Sequence, residues 1–205
     1  MKKTQQHFTL IEIMTVIVII GILSAILFPV LGSIRERGKV TETQTLVTGI
    51  KTAILTFKTD NGLLPYHSPD GASTDEKIGD WGSIRKINSI KPDSNYTKFF
   101  DVLTYANHNS AGSSPTSNTK ACNPKAQRYL DVPKKYFGDD SVNSVRDSWN
   151  RPLIIYLDMD QDGHLKVDTN GYESDELTDA VVLSMGGQDA GAKDYDTSQF
   201  ISSSK

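Results

Sequence analysis

Between Ile13 and Ile34 no side chain carries an ionisable group. At about 1.5 Å of rise per residue, a helix over that run reaches roughly 33 Å, enough to cross a hydrocarbon layer. Beyond it the pattern changes. Leu46, Val47, Ile50, Ala53, Ile54 and Phe57 recur at three- and four-residue steps among polar positions, which marks one apolar face of a helix. Asn61-Gly62 is a stop signal. Together the two patterns predict one helix from about Phe8 to about Asp60, close to 80 Å long. Its first half is apolar on every face, and its second half has a stripe to bury. Pro29 costs this helix a backbone hydrogen bond, and Gly21, Gly32 and Gly38 loosen it further.

Downstream the periodicity is weaker. Residues 67–95 show no sustained period and are predicted as loop, with Asp80-Trp81-Gly82 as a packing anchor. Lys98–Ala106 has helical spacing, with Ser94 or Asn95 as the cap. Residues 107–120 have the composition of a flexible loop. Short apolar runs at Leu153–Leu157, His164–Val167 and Ala180–Ser184 predict three strands of an antiparallel sheet packed on the long helix, and Trp149 is expected in the core. The fold class is α+β.

Composition narrows the function. The chain has 205 residues and a net charge of −3, which gives nucleic acid no electrostatic foothold. The lone cysteine, Cys122, excludes an intrachain disulfide. His7, His67, His108 and His164 form no metal spacing, and neither a nucleophile elbow nor a phosphate loop is present, so the chain does not read as an enzyme. Three readings of residues 1–31 compete. A cleaved secretory signal would use Lys2 and Lys3 as its basic start, but the apolar run is long for one, and Leu23-Ser24-Ala25 is a poor cleavage site. A buried core helix would need more protein than this chain has to surround it. A retained transmembrane anchor fits best. Its orientation is not set by charge, because Lys2 and Lys3 lie on one side and Arg35, Arg37 and Lys39 on the other.

Glu12 stands at the mouth of the apolar run, in the stretch HFTLIE. A charge within a membrane helix costs about 2.5–3.5 kcal/mol at the centre and less near an end. Such a residue is usually functional, although a carboxylate there can also snorkel to the interface. A short basic leader, F-T-L-I-E and a long apolar helix resemble the N-terminus of type IV pilins and type II secretion pseudopilins. The resemblance implies that prepilin peptidase cuts between His7 and Phe8 and methylates Phe8. Glu12 falls where the family places its glutamate, and Pro29 where it places a proline. His7 departs from the glycine that the family has before the cut. In the filament, Glu12 is then expected to meet the N-terminal ammonium of a neighbouring subunit, and the helix to kink or melt over Ser24–Pro29.

The resemblance continues beyond the helix. DNGLLPY resembles the family's helix exit, NPKAQRYLDVPKKYF a segment that precedes the sheet, and Asp147–Pro152 (DSWNRP) the turn that leads into it. Ser184–Phe200 (SMGGQDAGAKDYDTSQF) resembles the C-terminal loop of the major, G-type pseudopilin, where backbone carbonyls and aspartates bind calcium. That implies Asp189, Asp194 and Asp196 as carboxylate ligands, with the Met185 carbonyl beside them. A solvated acidic loop is the alternative. A second, weaker candidate is Asp158, Asp160 and Asp162. Their spacing starts like a calcium loop, but Thr169 stands where such a loop ends in a bidentate carboxylate. An aspartate-rich hairpin turn explains them as well, Asp162-Gly163 being favoured for positive φ.

The implied organisation is a leader (1–7), a helix (8–60, with 8–31 for membrane and assembly) and a periplasmic globular part (61–205). The latter divides into a long insert (67–146) and a sheet with its C-terminal loop (147–205). The implied function is a structural subunit of a type II secretion pseudopilus, anchored once in the bacterial inner membrane. Its partners would be itself, prepilin peptidase, minor pseudopilins and the inner-membrane secretion platform. A pilin of a surface filament for adhesion, motility or DNA uptake is the alternative.

Overall fold

The structure is a computed structural model, and it describes residues 9–65, 76–78, 94–107, 114–138, 144–168, 173–187 and 200–203. The chain forms two compact units, Met1–Lys39 and Val40–Lys205. One helix, α1 (Leu10–Asn61), supplies residues to both.

Within Met1–Lys39, α1 keeps its large apolar side chains in the open. Leu10, Ile11, Ile17, Ile26, Leu27 and Phe28 are all exposed. The helix is continuous over Ser24–Pro29 in this single chain; the expected melting belongs to the assembled state. Within Val40–Lys205 the same helix turns amphipathic. Val47, Ile50, Ala53, Ile54 and Phe57 are buried, as their spacing predicts. Thr45, Thr52, Thr56 and Thr59 on the outer face turn their hydroxyls back to carbonyls of the preceding turn, at 2.8–2.9 Å. The end of α1 lies at the predicted stop: Gly62 takes φ +75 and returns its N–H to the Lys58 carbonyl at 2.7 Å, a left-handed close that suits glycine. Lys125 donates to the Asp60 carbonyl there, placing a cation at the negative end of the helix dipole.

Helix α2 (Ser94–Thr104) begins four residues before the predicted Lys98. Tyr96, Phe99, Phe100, Val102 and Leu103 bury one face of it, and the Tyr96 hydroxyl donates to the Val145 carbonyl at 2.8 Å. The predicted loop 107–120 gives way at its end to a short helix, α3 (Ser117–Cys122), capped by the Thr116 hydroxyl. A 3-10 turn follows at Lys134–Tyr136.

The strands among the described residues, in chain order, are β1 (Glu76–Ile78), β2 (Ile154–Leu157), β3 (Leu165–Asp168), β4 (Glu173–Glu176), β5 (Ala180–Ser184) and β6 (Ile201–Ser202). They form an antiparallel sheet of order β1-β2-β5-β6 and a separate ribbon of β3 and β4. Two expectations are corrected here. Residues 76–78, predicted as loop, are a strand against β2. Moreover β2 does not pair with β3, so Asp158–Gly163 is no hairpin turn but a crossing from the sheet to the ribbon. The reason is burial on both faces. Ile155, Leu157, Ala180 and Val182 belong to the core built with α1 and α2. Ile154, Tyr156, Val181 and Leu183 point the other way and are covered by Leu165 and Val167 of the ribbon. Strands so enclosed read as unbroken apolar runs, and here the second face needs a cover of its own.

Candidate functional site: the start of the long helix

Thr9 and Glu12 build the start of α1. The Thr9 amide and hydroxyl both donate to Glu12 Oε2 at 2.7 Å, and the Glu12 amide reaches back to Thr9 Oγ1 at 3.4 Å and to the Thr9 carbonyl at 3.1 Å. This is a capping box, in which Thr and Glu three residues apart satisfy each other's amides. The signal T-x-x-E stands in the sequence as Thr9–Glu12, and it is local and uncharged at its threonine end. In the lone chain, then, Glu12 already has a local task, with one carboxylate oxygen engaged by Thr9. His7 and Phe8 lie outside the described residues. Pro29 lies within α1, and its side chain is also outside them.

A second cluster ties α1 to the sheet-bearing part of the globular unit. Glu42 accepts from Lys135 Nζ, from the Tyr136 hydroxyl at 2.8 Å and from the Ser148 hydroxyl at 2.9 Å, while the Ser148 amide donates to Thr43 Oγ1 at 3.3 Å. Nothing in the TETQT pattern announces this junction. Lys135 above all, then Tyr136 and Ser148, hold the Glu42 carboxyl down to about 2. A carboxylate held below its unfolded value near 4.5 stabilises the fold above that value, and the contribution is lost as pH falls toward 2. Glu42→Gln should therefore flatten the acid limb of the unfolding profile between about pH 4.5 and pH 2, by a small amount because the group is partly solvated. Urea midpoints of both proteins across that range check it; parallel profiles would contradict it.

Asp147, buried to 4% exposure, organises the DSWNRP turn. Oδ1 accepts from the Trp149 and Arg151 amides, each at 2.9 Å, and Oδ2 from the Ser184 hydroxyl at 2.7 Å. Burial outweighs these donors and moves its carboxyl up, so its effect on pH dependence is opposite to that of Glu42. Ser184 Oγ in turn accepts from the Gly186 amide at 3.1 Å, and Arg151 donates to the Gly186 carbonyl. Gly186 takes φ +64, and a Cβ on Gly187 would come within 3.0 Å of Trp149 Nε1. The DSWNRP turn and the Gly-Gly turn thus hold each other in place. Of the implied calcium ligands, Met185 sits buried at the end of β5. Asp189, Asp194 and Asp196 lie outside the described residues.

The other aspartates do come together. Single carboxylate oxygens of Asp158, Asp160 and Asp162 lie within 4.8 Å of one another. The loop's own amides engage them: Gln161 and Gly163 donate to Asp158 at 2.7 and 3.0 Å, and His164 donates to Asp162 at 2.7 Å. Gly163 has φ +82, as Asp-Gly predicts. Burial first, and then Asp160, moves the Asp158 carboxyl up. Three oxygens of this kind suit a hard cation in type, but they are also satisfied as a self-bonded turn.

With this geometry in view, the comparisons with known proteins fall into place. The family described as the prokaryotic N-terminal methylation motif matches residues 4–28. This is a type IV pilin-like N-terminus. The chain is 36% identical over 74 residues to a type IV major pilin protein of Neisseria gonorrhoeae, covering 36% of this chain and 35% of that one. It is 52% identical over 54 residues to a fimbrial protein of Moraxella nonliquefaciens, covering 26% and 35%. It is 41% identical over 64 residues to the type II secretion system core protein G of Pseudomonas aeruginosa, covering 31% and 45%. The chain spans between 35% and 47% of the length of the curated relatives it matches. No solved structure matches it. Pilins and a secretion core protein are matched alike, and none of these relatives is named as an enzyme.

Proposed function

We propose that the chain is a filament subunit that polymerises through α1, and that the filament is a type II secretion pseudopilus supporting export of folded proteins. The observation that carries the filament reading is an acidic residue at the first turn of a helix whose large apolar side chains stand exposed from Leu10 to Phe28 and again at Leu31 and Ile34. The window is long and apolar enough to cross a membrane, with mean hydropathy 2.8 and none of it buried. Such a surface needs lipid before assembly and other subunits after it. Glu12 pairs with the methylated Phe8 ammonium of the adjoining copy, in surroundings of low dielectric where the charges find no other solvent. Prepilin peptidase would release that ammonium by cutting after His7. Minor pseudopilins and the inner-membrane platform would be the other partners, with the globular unit in the periplasm.

Two features favour the pseudopilus over a surface pilus: the single cysteine, and the resemblance of DSWNRP and the acidic C-terminal loop to the G-type protein. Deleting the gene tests the choice. Loss of protein export with surface filaments intact supports the pseudopilus; loss of surface filaments with export intact supports the pilin reading. Calcium belongs to the same proposal, through the Met185 carbonyl with Asp189, Asp194 and Asp196, or through the Asp158 loop. Chelation should lower the melting temperature of the globular unit. An unchanged melt, with no metal found by elemental analysis, removes calcium from the account.

A further inference from the structure

The apolar surface of α1 ends abruptly. Ile34 is 57% exposed, and the next residues are Arg35, Glu36, Arg37, Gly38 and Lys39. Arg35 and Arg37 are both exposed, and successive odd positions on a helix point to opposite sides. Lys39 answers Glu36 at 3.1 Å within the same turn. With three cations to one carboxylate, residues 35–39 carry a net positive charge. A guanidinium offers a planar fork of donors that fits phosphate oxygens two at a time. The apolar span just before it needs hydrocarbon, so the layer that follows the hydrocarbon in any bilayer is a layer of phosphates.

We propose that Arg35 and Arg37 form a collar that grips the lipid phosphates of the leaflet where α1 leaves the membrane, and that this grip sets the depth of Glu12. The inference rests on the membrane reading of α1 given above. Its consequence is metric. From Arg35 back to Glu12 the helix rises about 34 Å, slightly more than a hydrocarbon core of about 30 Å. With the collar at one phosphate layer, the Thr9–Glu12 capping box reaches the opposite interface. There the carboxylate costs far less than at the bilayer centre. The collar thereby keeps Glu12 wet until a subunit is drawn out of its resting position. Neither Glu12 nor the arginines can be moved along α1 by a turn without breaking this match.

The test uses the full chain in vesicles of phosphatidylcholine and phosphatidylglycerol. Protease protection of the apolar segment first establishes insertion. Solid-state NMR then measures dipolar dephasing of the arginine guanidinium carbons by lipid phosphorus. Specific loss of the dephased signal in Arg35→Gln and Arg37→Gln assigns it. A nitroxide placed at Ile13, in a Cys122→Ser background, reports depth. The expected result is dephasing from both arginines, and a shift of the nitroxide along the bilayer normal in the double glutamine variant. Arg35→Lys with Arg37→Lys should retain the depth but lose the short guanidinium contact. A chain that fails to insert overturns the membrane reading, and this inference with it. An inserted chain with no dephasing, or with the same depth in wild type and double variant, overturns the collar alone.

Discussion

Replacing Glu12 by alanine is expected to leave Val40–Lys205 folded and α1 in the membrane, while weakening subunit association by at least ~100-fold. Breaking a buried ion pair from one side costs about 3–5 kcal/mol, because the abandoned charge stays desolvated, and each 1.4 kcal/mol is about a factor of ten. Among the described residues, the core of the globular unit begins on α1 around Leu46 and Val47, more than thirty positions from Glu12, so its melt should not change. The capping box supplies the control. Thr9→Ala removes the hydroxyl that binds Glu12 Oε2 at 2.7 Å, and a lost cap costs about 0.5–2 kcal/mol. If pairing between subunits is the function of Glu12, the alanine at 12 must be much the worse for assembly. Sedimentation of sheared filaments from cells expressing each variant measures both. Equal losses would assign the effect to the cap, and normal filaments from Glu12→Ala would remove the residue from assembly.

The second large effect falls on stability. Phe57 is 1% exposed, packs edge-on against Tyr129 with ring centroids 5.0 Å apart, and belongs to the core that α1 shares with the sheet. Phe57→Ala should destabilise the globular unit by about 3–5 kcal/mol, combining lost transfer energy with a cavity. Thr56, one residue earlier, is exposed and donates only to its own helix, to the Thr52 carbonyl at 2.8 Å. Thr56→Ala should therefore move stability by no more than about 0.5 kcal/mol. Urea unfolding of the detergent-solubilised chain, followed by tryptophan fluorescence, separates the two. Similar midpoints would mean that α1 does not share the core described.

What the sequence made legible follows the strength of each physical signal. Helix α1 was readable to within a few residues, because an uncharged run and then a long three-four periodicity leave little room for anything else. The strands β2 and β5 were readable because both are dense in Ile, Val and Leu. Glu173–Glu176 was not, since ESDE contains no apolar residue and is held in place by its pairing with β3. Glu76–Ile78 was not, because three residues cannot show a period. Both errors changed the topology: without β4, the crossing at Asp158–Gly163 looked like a hairpin. At the candidate site, Glu12 stood out as a charge in an apolar run, but its partner Thr9 did not, because attention to charge passes over a hydroxyl and an amide. Glu42 and Asp147 were illegible for a different reason. Lys135, Tyr136 and Ser148 lie 93 or more positions along the chain from Glu42, and the Asp147 link to Ser184 spans 37; no local pattern encodes such a meeting.

The account stands on a processed N-terminus, since without a new ammonium Glu12 has nothing to pair with on the next copy. Mass spectrometry of the protein purified from its own cells reads this directly. The expected species begins at Phe8 and carries one methyl group on its α-amine, despite His7 before the cut. A chain that still begins at Met1 within filaments, or one that has lost the whole apolar segment through Ile34, would contradict it.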